Sequence, residues 1–153
     1  MKSSITDSPK LVSGVHGFFR LGTRKNTNQT TDFTAAATSQ VFVLTALKPG
    51  DRVLTSHIVA DLITPFVTST GATVTGKLGI TGDDDRFIPS SADNLRATTA
   101  KTLMPNAAVL ADLLPYVNNT AADVNLILTI TLSAGTMADI TAGEIQIQVP
   151  IGR

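Results

Sequence analysis

The sequence predicts an all-β protein, an antiparallel β-sandwich or jelly roll with an extended N-terminal arm, and three observations lead there. Of twelve acidic residues only Glu144 is Glu and the rest are Asp, while Thr is the commonest residue. Thr, Val and Ile suit a pleated sheet and Asp suits turns, whereas Glu and Lys populate exposed helix faces. Period-2 alternation recurs along the chain, most cleanly where Ile145, Ile147, Val149 and Ile151 alternate with Glu144, Gln146, Gln148 and Pro150. Short turns rather than convincing helices join these segments, which gives six to eight strands in 153 residues.

Residues 1–39 form the arm. They are rich in Ser, Thr and Asn, and Leu11, Val12, Val15, Phe18, Phe19 and Leu21 follow no period. An edge strand is expected near residues 14–21. Five cations against two carboxylates give the arm a charge of +3 and leave −3 on residues 40–153, the sandwich domain. Either the arm packs on its own domain, or it orders against a neighbouring subunit with Phe18 and Phe19 as anchor and Arg20, Arg24 and Lys25 as cationic contacts.

In the body, Val41-Phe42-Val43-Leu44 is a short apolar strand ending at Lys48-Pro49-Gly50-Asp51, where Pro before Gly signals a type II turn and a tight reversal between strands. Leu54, Ser56, Ile58, Ala60, Leu62 and Phe66 share one face of the next strand, with His57 and Asp61 on the other. Ala72, Val74, Leu78 and Ile80 oppose Thr73, Thr75 and Lys77, and Asp83-Asp84-Asp85 follows as a loop. Residues 86–122 are punctuated by Pro and Asn; Asn106 could cap a short helix over 107–114 that Pro115 ends, against an irregular alternative. From Val124 to Leu132 the residues Leu126, Leu128, Ile130 and Leu132 form a core face, and Pro150 implies an exposed edge near the end of the last strand.

The same residues exclude most chemistry. Net charge is zero and aromatic residues are 5% of the chain, so neither an electrostatic funnel nor stacking platforms for nucleic acid are available. Without Cys there is no thiolate nucleophile, disulfide or Cys-based metal site. No run approaches the ~20 apolar residues of a membrane span, and Met1–Asp7 lacks the apolar core of a secretion signal, so a soluble chain is expected. Gly71-Ala72-Thr73-Val74-Thr75-Gly76-Lys77-Leu78 matches a phosphate loop except at Leu78, where a hydroxyl must reach magnesium, and its residues alternate as a strand. Asp83-Asp84-Asp85 has neither the spacing nor the terminal Glu of a calcium loop, so a solvated turn is the expectation over a cation site. His57 and Asp61, four apart on a strand, would stand ~13 Å apart, too far for a dyad. The expectation is no enzyme, no cofactor, no metal and no catalytic residue.

The order Phe42-Val43-Leu44, Lys48-Pro49-Gly50-Asp51, Thr64-Pro65-Phe66, Leu78-Gly79-Ile80-Thr81-Gly82-Asp83 and Thr141-Ala142-Gly143-Glu144-Ile145-Gln146-Ile147-Gln148-Val149 resembles head decoration, or capsid cement, proteins of tailed bacteriophages. The likeness covers residues 40–151 and rests on order and turn chemistry. It implies a jelly-roll-like structural protein on the outer surface of the virion, made in the bacterial host cytoplasm. Its partners would be the major capsid protein and itself, as a homotrimer, with no role for nucleic acid or membrane. Deleting residues 1–25 is then expected to abolish capsid binding and leave the β fold intact. Two other readings stay open: a phage neck, tail or fibre-attachment component, and a small carbohydrate- or ligand-binding jelly roll.

Overall fold

The computed structural model describes residues 17–22, 32–90, 95–96, 101–103 and 114–152. Their strands are β1 (Gly17–Gly22), β2 (Ser39–Leu47), β3 (Arg52–Val53), β4 (Val59–Thr68), β5 (Val74–Ile80), β6 (Asp83–Ile88), β7 (Lys101–Leu103), β8 (Tyr116–Val117), β9 (Val124–Leu132), β10 (Ile140–Val149) and β11 (Ile151–Gly152). One four-stranded sheet has the order β1-β10-β4-β7 and the other β2-β9-β5-β6, with β11-β3-β8 as a small third sheet. The described strand pairings are antiparallel. Setting aside the two-residue strands, consecutive strands are dealt between the two large sheets as 1-8-3-6 and 2-7-4-5. That is the double Greek key of a jelly roll.

Alternation puts one face of each sheet into a common core. Leu126, Leu128, Ile130 and Leu132 of β9, Ile145, Ile147 and Val149 of β10, Ala60, Leu62 and Phe66 of β4, and Val74, Leu78 and Ile80 of β5 belong to one buried cluster. Phe33 is wholly buried between the sheets, edge-on to Phe42 of β2 at 5.7 Å and to Phe66 of β4 at 5.3 Å. Such edge-to-face contacts add to the burial of ring area itself. Phe33 thus ties a residue of the non-periodic N-terminal segment to both sheets.

Several local expectations give way to tertiary structure. Thr55–His57 is a 3-10 turn, not strand; it leaves Leu54 at 43% exposure while Ile58 starts the buried series. The Lys48–Asp51 turn closes through the Asp51 N–H donating to the Lys48 carbonyl (2.9 Å), with Gly50 at φ 86° as a type II turn requires. It turns a corner rather than a hairpin, since β3 pairs with β11 and β8 and not with β2. Asp83–Asp85 begins β6 instead of forming a loop, because the two-residue turn Thr81-Gly82 already reverses the chain. Pro150 marks no exposed sheet edge: β10 lies between β1 and β4, and the proline ends it, passing Ile151 to the small sheet beside Val53. The Pro150 carbonyl accepts the Leu54 N–H at this corner (3.0 Å). Pro65, within β4, sits among register shifts of the β4–β10 ladder, where a missing donor is tolerated. The helix considered over 107–114 falls, apart from the exposed Leu114, outside the described residues.

A second 3-10 turn, Met137–Asp139, is fastened by a capping box. The Thr136 N–H donates to the Asp139 carboxylate (2.7 Å), and the Ser69 hydroxyl donates to its other oxygen (3.2 Å). The Thr136 N–H above all holds this carboxyl below the ordinary Asp value, against a smaller desolvation effect. A depressed folded-state value means stability that is present above the unfolded pKa of about 3.9 and is lost as pH falls through the folded value. Asp139→Asn is therefore expected to lower the melting temperature near neutrality, with the gap to wild type closing as the pH drops below about 4; a pH series of thermal melts reads it. A gap independent of pH would show that the carboxylate charge contributes nothing.

Candidate functional site

The outward face of the β2-β9-β5-β6 sheet can be read row by row from its register. Ser39, Thr131 and Thr75 form one row, Val41, Thr129 and Lys77 the next, and Val43, Ile127 and Gly79 the third. In the first row the Ser39 and Thr131 hydroxyls hydrogen-bond at 3.0 Å. In the second, Thr129 is 5% exposed and its hydroxyl has no hydrogen-bond partner. Val41 and Val43 stand out at 55% and 60% exposure.

Against the second and third rows lies a hollow of about 590 Å³ lined by Val41, Val43, Ile127, Asn125, the Thr81-Gly82 turn and Asp83–Asp85 of β6. Gly79 permits the start of β6 to approach β5 closely: a side chain there would run into the main chain of Asp83 and Asp84. The hollow has an apolar floor on β2 and β9 and an acidic wall. Asp84 pairs with Lys77 at 2.7 Å and Asp83 with Arg86 at 3.2 Å, so two of the three carboxylates already have cations. Among the described residues no group of three or more His, Asp or Glu is arranged to hold a metal ion. None of the lining residues is aromatic, which leaves a sugar no ring to stack on.

The other residues with chemical potential are dispersed. Gly71–Leu78 is not a loop before a helix: its last five residues belong to β5, Gly76 is covered by Leu95, and Lys77 faces outward to Asp84. Exposed His57 contacts the hydroxyl of its neighbour Ser56 (3.0 Å) from the 3-10 turn, while Asp61 lies in β4.

The contact candidates of the N-terminal segment divide. β1 lies at a sheet edge with Phe18 opposite Gln148, Phe19 opposite Ile147 and Arg20 opposite Gln146. Phe19 is 4% exposed and belongs to the core of its own domain, so its ring is spent inside the fold and not on a neighbour. Arg24 and Lys25 lie in residues 23–31, outside the described residues; of the residues that flank that stretch, the Gly22 N–H donates to Asp32 (2.9 Å). Removing residues 1–25 would strip β1 from β10 and take Phe19 out of the core, so that deletion would disturb the fold itself. The periodic pattern of β2 and β9 carried the signal for the exposed Val41–Val43 face, but alternation alone does not say which face looks outward.

No family model matches the chain, and no curated protein matches it. Among solved structures the chain is similar to one described as "Cyanophage Pam1 capsid asymmetric unit", at 17% identity and a TM-score of 0.49, over 90% of this chain and 81% of that one.

Proposed function

We propose that this chain is a structural virion protein, a capsid decoration or cement protein that binds the outer capsid lattice and cross-links neighbouring major capsid subunits. The observation that carries the reading is the outward face of the β2-β9-β5-β6 sheet. It is a hydroxyl- and valine-bearing surface on a jelly roll. Such a face suits contact with protein better than turnover of a small molecule. The segments that resemble decoration proteins are also the corners and central strands of the sandwich: the Lys48–Asp51 turn, the bulged Thr64–Phe66 stretch, the β5–β6 hairpin and β10.

The mechanism is mechanical and needs no enzyme activity, metal, cofactor, nucleic acid or membrane. Copies on the virion surface, grouped as homotrimers, each hold several capsid contacts at once. Simultaneous contacts make release far slower than any single one allows. The basic N-terminal segment supplies cationic reach toward an acidic capsid surface.

Closed symmetry makes stoichiometry diagnostic. Quantitative mass spectrometry of purified particles is expected to find on the order of one copy per major capsid subunit. A few copies per particle would move the chain to the neck, tail or fibre attachment, and absence from particles would overturn the virion reading.

A further inference from the structure

We propose that the open edge of β2 is a self-association site, at which a second copy of this chain adds its own β2 antiparallel about a two-fold axis through Val41. The contact is a property of the chain alone and does not rest on the virion reading.

The two large sheets end, among the described residues, in four edge strands: β1, β7, β2 and β6. Three have charged residues in their sequence, β1 Arg20, β7 Lys101, and β6 Asp83, Asp84, Asp85 and Arg86. β2 has nine residues, Ser-Gln-Val-Phe-Val-Leu-Thr-Ala-Leu, with no charge and no proline. Charged side chains and proline are how sheet edges are kept from pairing with another chain. Of the four edges, β2 alone lacks both.

Its main chain is poised to pair. The Leu132 N–H donates to the Thr38 carbonyl at 2.7 Å, so alternation turns the polar groups of Gln40 and Phe42 toward β9. Those of Ser39, Val41 and Val43 face the open edge. Over this stretch the β2–β9 register runs unbroken from Ser39↔Thr131 to Val43↔Ile127, and the irregularity comes only between Val43 and Thr45. The straight segment has Val41 at its centre, so a dyad there pairs Val41 with the partner's Val41 and Ser39 with the partner's Val43. Every N–H and C=O on the open side then meets its complement.

The side chains favour the same arrangement. Val41 and Val43 are among the most exposed large apolar residues and stand on the outward face at the edge. Across the dyad they extend one apolar patch onto another, and an uncharged strand brings no like-charge repulsion with it. A single strand pairing buries less than the ~1,600 Å² of a standard interface, so the dimer is expected to be weak and concentration-dependent.

Sedimentation velocity and amide hydrogen exchange on the full chain test this together. The expected result is a reversible dimer, with the Val41 and Val43 amides gaining protection as concentration rises and the Phe42 amide protected throughout by β9. Val41→Lys sets like charges across the axis and is expected to weaken the dimer roughly tenfold while leaving the circular dichroism spectrum unchanged. Val43→Lys, which replaces the other half of the apolar patch with the charge that guarded edges carry, is the second variant should the first fold poorly. A chain that stays monomeric at high concentration, or an oligomer indifferent to both lysines, would overturn the proposal. So would protection of Val41 and Val43 independent of concentration, which would mean that a segment of the same chain covers the edge.

Discussion

Phe33→Ala is expected to destabilise the domain by about 3–5 kcal/mol, the cost of losing a fully buried ring and leaving a cavity that its surroundings fill only in part. Two features place it at the upper end. Phe33 is 0% exposed, and it is the shared member of two edge-to-face pairs, with Phe42 on one sheet and Phe66 on the other. Truncation therefore loosens the packing between sheets as well as within them. A domain of this size has on the order of 5–15 kcal/mol in total, so the loss is a large fraction. Urea unfolding should show a lower midpoint with little change in slope, and thermal melts a drop of roughly 10 °C. A change below about 1 kcal/mol would mean that Phe33 is not the wedge between the sheets.

Asn118→Ala is the second large effect, for a polar reason. Asn118 is 1% exposed, and its amide donates to the carbonyls of Leu47 and Ala122, both at 2.9 Å, while its oxygen accepts the Thr120 N–H at 3.0 Å. Its main chain also bonds Gly50 and Asp51, so one residue fastens the Lys48–Asp51 corner, the end of β2 and the loop before β9. Removing the side chain strands the buried Leu47 carbonyl, which water reaches poorly, and a loss of about 1–3 kcal/mol is expected. Asn118→Asp separates hydrogen bonding from volume. It keeps the shape but aims a carboxylate at two carbonyls, so it should be at least as damaging at neutral pH and recover partly in acid, where the protonated group can donate one bond. Denaturant titrations at neutral and acidic pH read both variants. An Asp variant equal to wild type at neutral pH would refute the donor role.

Much of the body was legible because side-chain alternation is local. The core faces of β9 and β10 follow from Leu126, Leu128, Ile130 and Leu132 and from Ile145, Ile147 and Val149 without knowledge of any partner strand. The Pro49-Gly50 turn was equally readable, since only residues free to take positive φ fit its third position. Asn118 and Phe33 were not. Neither belongs to a periodic pattern, and the contacts that give each its weight include partners distant in sequence, Phe66 for Phe33 and the Leu47 carbonyl for Asn118.

The sequence alone determined the fold class: a Thr- and Asp-rich, Glu-poor chain with repeated two-residue periodicity has few ways to bury its apolar side chains except as packed antiparallel sheets. It also determined the Lys48–Asp51 turn itself, where proline and glycine act through their own backbone limits. Only the tertiary structure decided how strands are dealt between the sheets, and hence that Val41 and Val43 face outward on an unguarded edge while the charged β6 closes the other side of the same sheet. It decided likewise that Phe19 and Phe33 are core and that Leu54 is not. The reason is the same in each case: which strand lies at an edge, and which ring meets another, depends on pairings between segments distant along the chain, and no local pattern encodes the choice of partner.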